Sequence, residues 1–176
     1  MLETHQPYNV IFRTHDIEYR RYPAATFAQV RVRGPYTIRL NSGFRELSHY
    51  VTGGNYQHQS LPIVAPVVMS ACGADESHVR MYLGSDLVAI DAPTPLSHAV
   101  EITTHAPLIV AAIVLDGLFM QSSMETAAMR LQQSLITANI AFDTNAEYRF
   151  YTSPWQQLGR RGDVTFRLKQ SPFPLV

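Results

Sequence analysis

The sequence predicts an α+β fold in which two helices pack on a continuous sheet within one domain. Three observations lead there. Short segments rich in β-branched and aromatic residues recur along the chain. Two stretches place apolar residues at i, i+4, i+7 and i+11: Leu40, Phe44, Leu47 and Val51, then Met124, Ala128, Leu131 and Leu135. The order of elements also repeats, with the stripes offset by 84 residues from Leu40 to Met124. Each half reads strand, strand, helix, strand, strand, so a duplicated ββαββ unit is expected, with halves at about 8–90 and 97–170.

The strands come first. "YNVIF" (8–12) and "DIEYRRY" (16–22) carry the aromatic and branched residues of a sheet. "TFAQVRVRG" (26–34) alternates, with Ala28, Val30 and Val32 on one face and Gln29, Arg31 and Arg33 on the other. Gly34-Pro35 stops it. A helix is predicted over 37–51, ended by Gly53 and Gly54. "LPIVAPVVMS" (61–70) is extended, but Pro62 and Pro66 require an edge or a bulge. "HVRMYL" (78–83) alternates again, and "GSDLVAIDAPTPL" (84–96) reads as a loop or loose crossover. In the second half, "AVEITTH" (99–105) and "PLIVAAIVLDG" (107–117) are strands. The run "LIVAAIVL" suits a strand buried on both faces and is too short to span a bilayer as a helix. A second helix is predicted over 123–138 with Asn139 as its cap. "AEYRFY" (146–151) and "DVTFRLK" (163–169) follow as strands, joined by the loop "TSPWQQLGRRG".

Composition narrows the function classes. The 176 residues are 46% hydrophobic and 16% charged, a globular balance. Lys plus Arg equals Asp plus Glu at 14 each, so no net field favours nucleic acid or an anionic membrane. Cys72 is the sole cysteine, which excludes an intrachain disulfide and a CxxC metal pair. The opening "MLETHQPYNV" has neither a basic n-region nor an apolar h-region, so a cytoplasmic protein is expected.

Four motifs stand in an informative order. "IEYRRYP" follows an N-terminal strand, then "NSGFRELSHYVTGGN", then "LPIVAPVVMS", and "YTSPWQQLGRRGDVTFRL" closes the chain. Together they resemble the SOUL haem-binding protein family, whose members carry a Y-E-x-R-x-Y-like strand, a helix ending near Gly-x-Asn and a Y-x-x-P…R-R-N-E-V-W-like ending. The match runs from Tyr8 to Leu168, with departures. Val64-Ala65 stands where the family has Met-Thr, Gly162-Asp163 where it has Asn-Glu, and Thr165 where it has Trp. The resemblance implies a twisted, distorted β-barrel-like sheet with two helices. It also implies non-covalent binding of haem or another tetrapyrrole in a shallow apolar cleft beside the first helix and the C-terminal loop. Kinship with gyrase-inhibitor-like domains supplies the alternative, a pocket that binds or hydrolyses another small molecule.

The resemblance sorts the candidate residues. Position 21, where some members are thought to ligate iron through histidine, is Arg21 here. A guanidinium has no lone pair for iron, so Arg21 is a propionate partner or a surface residue on an exposed strand face. His49 falls near the expected propionates, about 180° around the wheel from the apolar stripe and on one face with Ser42 and Arg45. It is either a solvated residue at the helix C-terminus or a ligand of the iron or of a propionate. Asn41 and Arg45 join it as cofactor-binding candidates. Trp155 can stack on a planar ligand or anchor its own loop; Arg160 and Arg161 can meet carboxylates or merely solvate a turn. The other histidines show no metal spacing, and no nucleophile elbow or phosphate loop occurs. Glu18 and Glu101 are the carboxylates that an enzymatic pocket would use if they pointed inward.

Overall fold

The computed structural model describes residues 5–84, 87, 89–117, 121–152 and 161–173. In chain order its elements are β1 (Asn9–Thr14), β2 (Ile17–Tyr22), β3 (Ala25–Arg33), α1 (Tyr36–Val51), β4 (Val64–Ala71), β5 (Glu76–Tyr82), β6 (Val100–His105), β7 (Leu108–Asp116), α2 (Gln121–Thr137), β8 (Glu147–Phe150) and β9 (Arg161–Arg167). A short 3₁₀ turn at Ala89–Asp91 interrupts the expected loop. The fold is α+β, with antiparallel strands throughout the described ladders.

The chain forms two compact units. The first holds the N-terminal residues up to Pro7 and Ala24–Ala106; the second holds Tyr8–Pro23 and the chain from Pro107 onward. The duplicated ββαββ pattern is not confirmed, because the strands do not close within the halves. β1 and β2 pair into the sheet of the C-terminal segment, where β2 runs against β7 from Ile17↔Ile113 to Tyr22↔Leu108. The reason lies in β7. Its central residues Val110–Ile113 are buried, and a strand buried on both faces needs hydrogen-bonding partners on both edges. β2 supplies one edge and β9 the other.

In the first unit the strands run β4-β5-β3-β6, and α1 packs on β3 and β5. Leu47, Tyr50 and Val51 are buried, while Leu40 and Phe44 are only half-buried. The buried face is therefore rotated from the stripe toward Gly43. A Cβ on Gly43 would lie 2.6 Å from the Cβ of Val79, so only glycine lets the helix come this close to β5. The prolines of the β4 segment are accommodated by a bulge between Val64 and Val67. In the second unit the order is β1-β2-β7-β9-β8, and α2 packs on β7 and β9. Its stripe is buried as the spacing predicts: Met124, Ala128, Leu131 and Leu135. Asn139 takes φ 54, and the N–H of Ile140 donates to Leu135 O at 3.0 Å, so Asn139 caps the helix in the left-handed conformation. Among the described residues, no helix is long and apolar enough to cross a membrane.

Gly43→Ala should lower stability by about 1–3 kcal/mol in a denaturant titration, because overpacking against Val79 outweighs the gain in helix propensity. Asn41→Ala, on the exposed side of the same helix, should be neutral or slightly stabilising; a stable Gly43→Ala variant would mean that α1 does not need this close approach.

Candidate functional site

The C-terminus of α1 is built with close tolerances. The Gly54 N–H donates to His49 O at 2.9 Å and the Gly53 N–H to Tyr50 O at 3.3 Å, with Gly53 at φ +110. This pair of bonds is the Schellman termination, with the left-handed residue just past the cap. Asn55 then fixes the chain that leaves the helix. It is fully buried, its Nδ2 donates to Tyr50 O at 3.2 Å and Gln59 O at 2.7 Å, and its Oδ1 accepts from the Gln59 N–H at 2.9 Å. Tyr50 is buried too; its hydroxyl donates to Pro93 O at 2.8 Å, and burial pushes its pKa up to about 12.

His49 sits on this frame. It is exposed, as its wheel position predicts, but its ring is not loose. A Cβ on Gly54 would lie 2.3 Å from His49 Nδ1 and 2.5 Å from Cε1. Of the two ring nitrogens, Nδ1 is therefore the one against the backbone. Asn41 and Arg45 are also exposed on α1, and Ile38, 55% exposed, lies on the same face one helical repeat earlier. Arg45, Asn41 and His49 make no side-chain hydrogen bond or ion pair with the described residues. The donor set fits a haem-type ligand in kind: an imidazole held by its backbone contact, a free guanidinium one turn away at i−4, an amide, and an exposed aliphatic side chain. Ile38 is the member that sequence reasoning missed; its place on the Arg45–His49 stripe was the available signal.

The remaining candidates belong to the second unit or lie outside the described residues. Arg21, half-buried on β2, lines a cleft of about 290 Å³ with Leu108, Ile109, Arg167, Leu168 and Lys169. Arg161 begins β9, and its guanidinium lies 5.5 Å from the Tyr151 ring centroid. Trp155 and Arg160 fall outside the described residues, as do Pro154 and Leu158 of the same loop. A second cleft of about 640 Å³ lies between the β1–β2 turn and α2, over Ile17 and Tyr19, and the Asp16–Arg130 ion pair closes one side.

Sequence reasoning also missed a buried network. Arg20 on β2 and Asp163 on β9 are both fully buried and ion-paired with one another. Arg20 Nε donates to Glu18 at 2.8 Å, and its guanidinium lies 4.4 Å from the Tyr8 ring centroid. Tyr151 OH donates to the same Asp163 oxygen at 2.9 Å. Arg149 stacks at 4.5 Å over Tyr22 and donates to Glu147 at 2.9 Å. Burial alone would pull both arginines down, but the facing charges outweigh it: Asp163 for Arg20, and Tyr22 with Glu147 for Arg149, so both are held above the ordinary guanidinium range. Burial, then the Tyr22 and Asp163 charges, drive the Tyr151 phenol upward. The signal was in the motifs: Arg20 and Tyr22 come from "IEYRRY", Tyr151 from "YTSP" and Asp163 from "RRGDV".

The enzymatic candidates are placed otherwise. Glu18 is tied to Arg13 and Arg20, and Glu101 is exposed on β6. Neither lines the two clefts above. His105 packs against Phe27 with ring centroids 5.0 Å apart, and Cys72 is an exposed thiol in the turn after β4. Among the described residues no group of three His, Cys, Asp or Glu side chains is placed to hold a metal ion.

Comparison with known proteins gives two findings of different reach. Residues 3–167 match the sequence profile of the family described as SOUL heme-binding protein. No curated protein matches the chain. Solved structures are similar in fold at low identity. The EcmrR C-terminal domain is 10% identical with a TM-score of 0.65, covering 88% of this chain and 98% of that one. A hydrolase from Listeria innocua is 10% identical with a TM-score of 0.60, covering 90% and 94%. SAV2435, solved bound to tetraphenylphosphonium, is 7% identical with a TM-score of 0.53, covering 88% and 94%.

Removing one member of the Arg20–Asp163 pair strands a buried charge. Arg20→Met or Asp163→Asn should each cost about 3–5 kcal/mol, and the double variant should lose less than the sum. Additive losses in the denaturant cycle would show that the two side chains do not act as a pair. Tyr50 sets an alkaline limit. Its folded pKa is raised above its unfolded value, so its contribution is fully present below about pH 10 and is lost as pH rises toward 12. In an ultraviolet titration of phenolate, Tyr50→Phe should remove one late-titrating group near pH 12; an unchanged late phase would contradict this burial.

Proposed function

Because the chain belongs to the SOUL heme-binding protein family, we propose that it binds haem or a related tetrapyrrole non-covalently beside α1. The observation that carries this reading is the exposed row on the helix, Ile38, Asn41, Arg45 and His49, whose polar members have no partner among the described residues. Residues 1–176 act in this reading as one cytoplasmic ligand-binding domain.

Roles follow from chemistry. Ile38 offers apolar contact, and each buried CH2 contributes about 0.8 kcal/mol, so apolar contact over a macrocycle approaches the roughly 8 kcal/mol of a micromolar complex without an axial bond. Arg45 and Asn41 orient carboxylate arms by charge-assisted and amide hydrogen bonds. His49 presents the ring nitrogen that is not against Gly54 as the donor for a metal. When bound, haem would supply a Lewis-acidic iron, and His49 would be the residue that offers it a nitrogen donor. Trp155, Arg160 and Arg161 keep the roles that the family resemblance gives them, a stacking ring and two carboxylate partners.

The second reading is a pocket for another small molecule, favoured by the 640 Å³ cleft beside α2, which falls in the usual size range of ligand sites. The two carboxylates that the sequence offered for hydrolysis do not serve this cleft: Glu18 is ion-paired and Glu101 is exposed on β6.

A hemin titration separates the two. The first predicts a saturable Soret shift at micromolar protein with a rise in thermal stability. His49→Ala should then move the Soret position, and Arg45→Gln should weaken binding about three- to tenfold. No saturable shift with unchanged melting temperature would overturn it; an identical spectrum for His49→Ala would remove His49 as the ligand.

A further inference from the structure

The Arg21 cleft asks for a ligand of its own. Three cations reach it: Arg21 from β2, Arg167 from the last residue of β9, and Lys169 two residues beyond. No carboxylate among the described residues lines it. The side chains of Arg21 and Lys169 make no ion pair or hydrogen bond with the described residues. Arg167 has only a loose partner, Asp143 at 3.9 Å, with side chains 57% and 49% exposed.

Part of the lining is aliphatic, from Leu108, Ile109 and Leu168. Arg21 stands opposite Ile109 in the β2–β7 ladder, and the Leu168 N–H donates to Ile109 O at 2.9 Å. Arg21, Ile109 and Leu168 therefore stand in one row, and Leu108, Arg167 and Lys169 line the cleft from the neighbouring positions. Three cations, of which Arg167 alone has a partner among the described residues, stand beside an aliphatic lining and repel metal ions and lipophilic cations alike. A fully hydrated inorganic anion would meet the charges but leave the floor in contact with water. A molecule with an anionic head and an apolar body satisfies both. At roughly 30 Å³ per water-sized group, the 290 Å³ holds about ten non-hydrogen atoms.

We propose that this cleft binds a small amphipathic anion, its carboxylate or phosphate head on Arg21, Arg167 and Lys169 and its aliphatic body on Leu108, Ile109 and Leu168. Arg21, which the sequence offered as a propionate partner, is assigned here instead. The site goes beyond the tetrapyrrole reading and does not depend on it, so it is tested on haem-free protein.

The probes are octanoate, octyl phosphate and octylammonium, followed through backbone amide shifts in two-dimensional NMR. Octanoate should shift the amides of Ile109 and of residues 168–171 saturably at about millimolar concentration, and the shifts should weaken as salt screens the head group. Tighter binding of octyl phosphate would assign a phosphate head; tighter binding of octanoate would assign a carboxylate. Lys169→Glu, at an exposed position, should reduce affinity at least tenfold at an unchanged melting temperature, and Arg21→Gln should do the same, whereas His49→Ala should have no effect. Absence of a saturable shift, equal shifts with octylammonium, or undiminished affinity in Lys169→Glu would each overturn the proposal.

Discussion

The buried Arg20–Asp163 ion pair constrains the whole second unit. Taking two charges out of water costs several kcal/mol each, so the pair is tolerable only where its remaining hydrogen-bonding capacity is met. Glu18 and Tyr151 meet part of it by hydrogen bonds and the Tyr8 ring covers the guanidinium, while Arg20 Nη2 and Asp163 Oδ1 find no hydrogen-bond partner among the described residues. The pair also crosses a strand. Arg20 stands opposite Val110 and Asp163 opposite Val114, both on β7, with Ala112 between them on the same face. Alanine is small enough for the guanidinium to pass over. One face of this sheet thus carries Glu18, Arg20, Tyr22, Thr165 and Asp163, while the other carries Ile113, Val164 and Phe166. A one-residue slip of β2 would turn Arg20 to the wrong face and bury it unpaired. The ion pair fixes the register, and the register places Arg21 and Ile109 in the row that floors the cationic cleft.

The first unit reaches the same end by steric means. Gly43 sets how closely α1 approaches β5, Gly53 and Asn55 end the helix, and Gly54 leaves room for the His49 ring. These are contacts of backbone and small groups, insensitive to salt and pH. They hold His49, Arg45 and Asn41 on a rigid helix at no cost to the exposed side chains, which stay available to a ligand.

Most of the fold was legible in the sequence. The alternation and the two apolar stripes located every described strand and both helices within a few residues, because these periodicities report burial directly. The ββαββ repeat expected from the order of elements is not confirmed, because strand pairing is set by which edges need partners. β7 recruits β2 across nearly a hundred residues, and no local pattern announces that. The exposure of His49 followed from its wheel angle. The close approach at Gly43 did not, since a glycine within a helix reads equally well as a weak spot. Asp163 escaped notice because one acid on an apolar strand looks like an outward residue until its arginine is found on a distant strand. The Trp155–Arg160 loop lies outside the described residues, so its part in the site rests on the family motif alone.

The placement of charge finally separates architecture from function. Arginine appears in three of the motif segments, and the family resemblance made Arg21, Arg45, Arg160 and Arg161 the ligand candidates. The fold divides the arginines by burial. Arg20 and Arg149 are enclosed by carboxylates and tyrosine rings, and their charge is spent on holding strands together. Arg45 and Arg21, by contrast, keep their guanidinium groups without a partner among the described residues. A buried, ion-paired arginine cannot serve a ligand without first losing a partner that stabilises the fold, at a cost of several kcal/mol. A free cation on a rigid element engages an anion with little reorganisation. The proposed recognition therefore falls to the cations of α1 and of the β2 cleft that have no partner among the described residues, and the adjacent Arg20 and Arg21 of one motif differ in burial because a strand turns consecutive side chains to opposite faces.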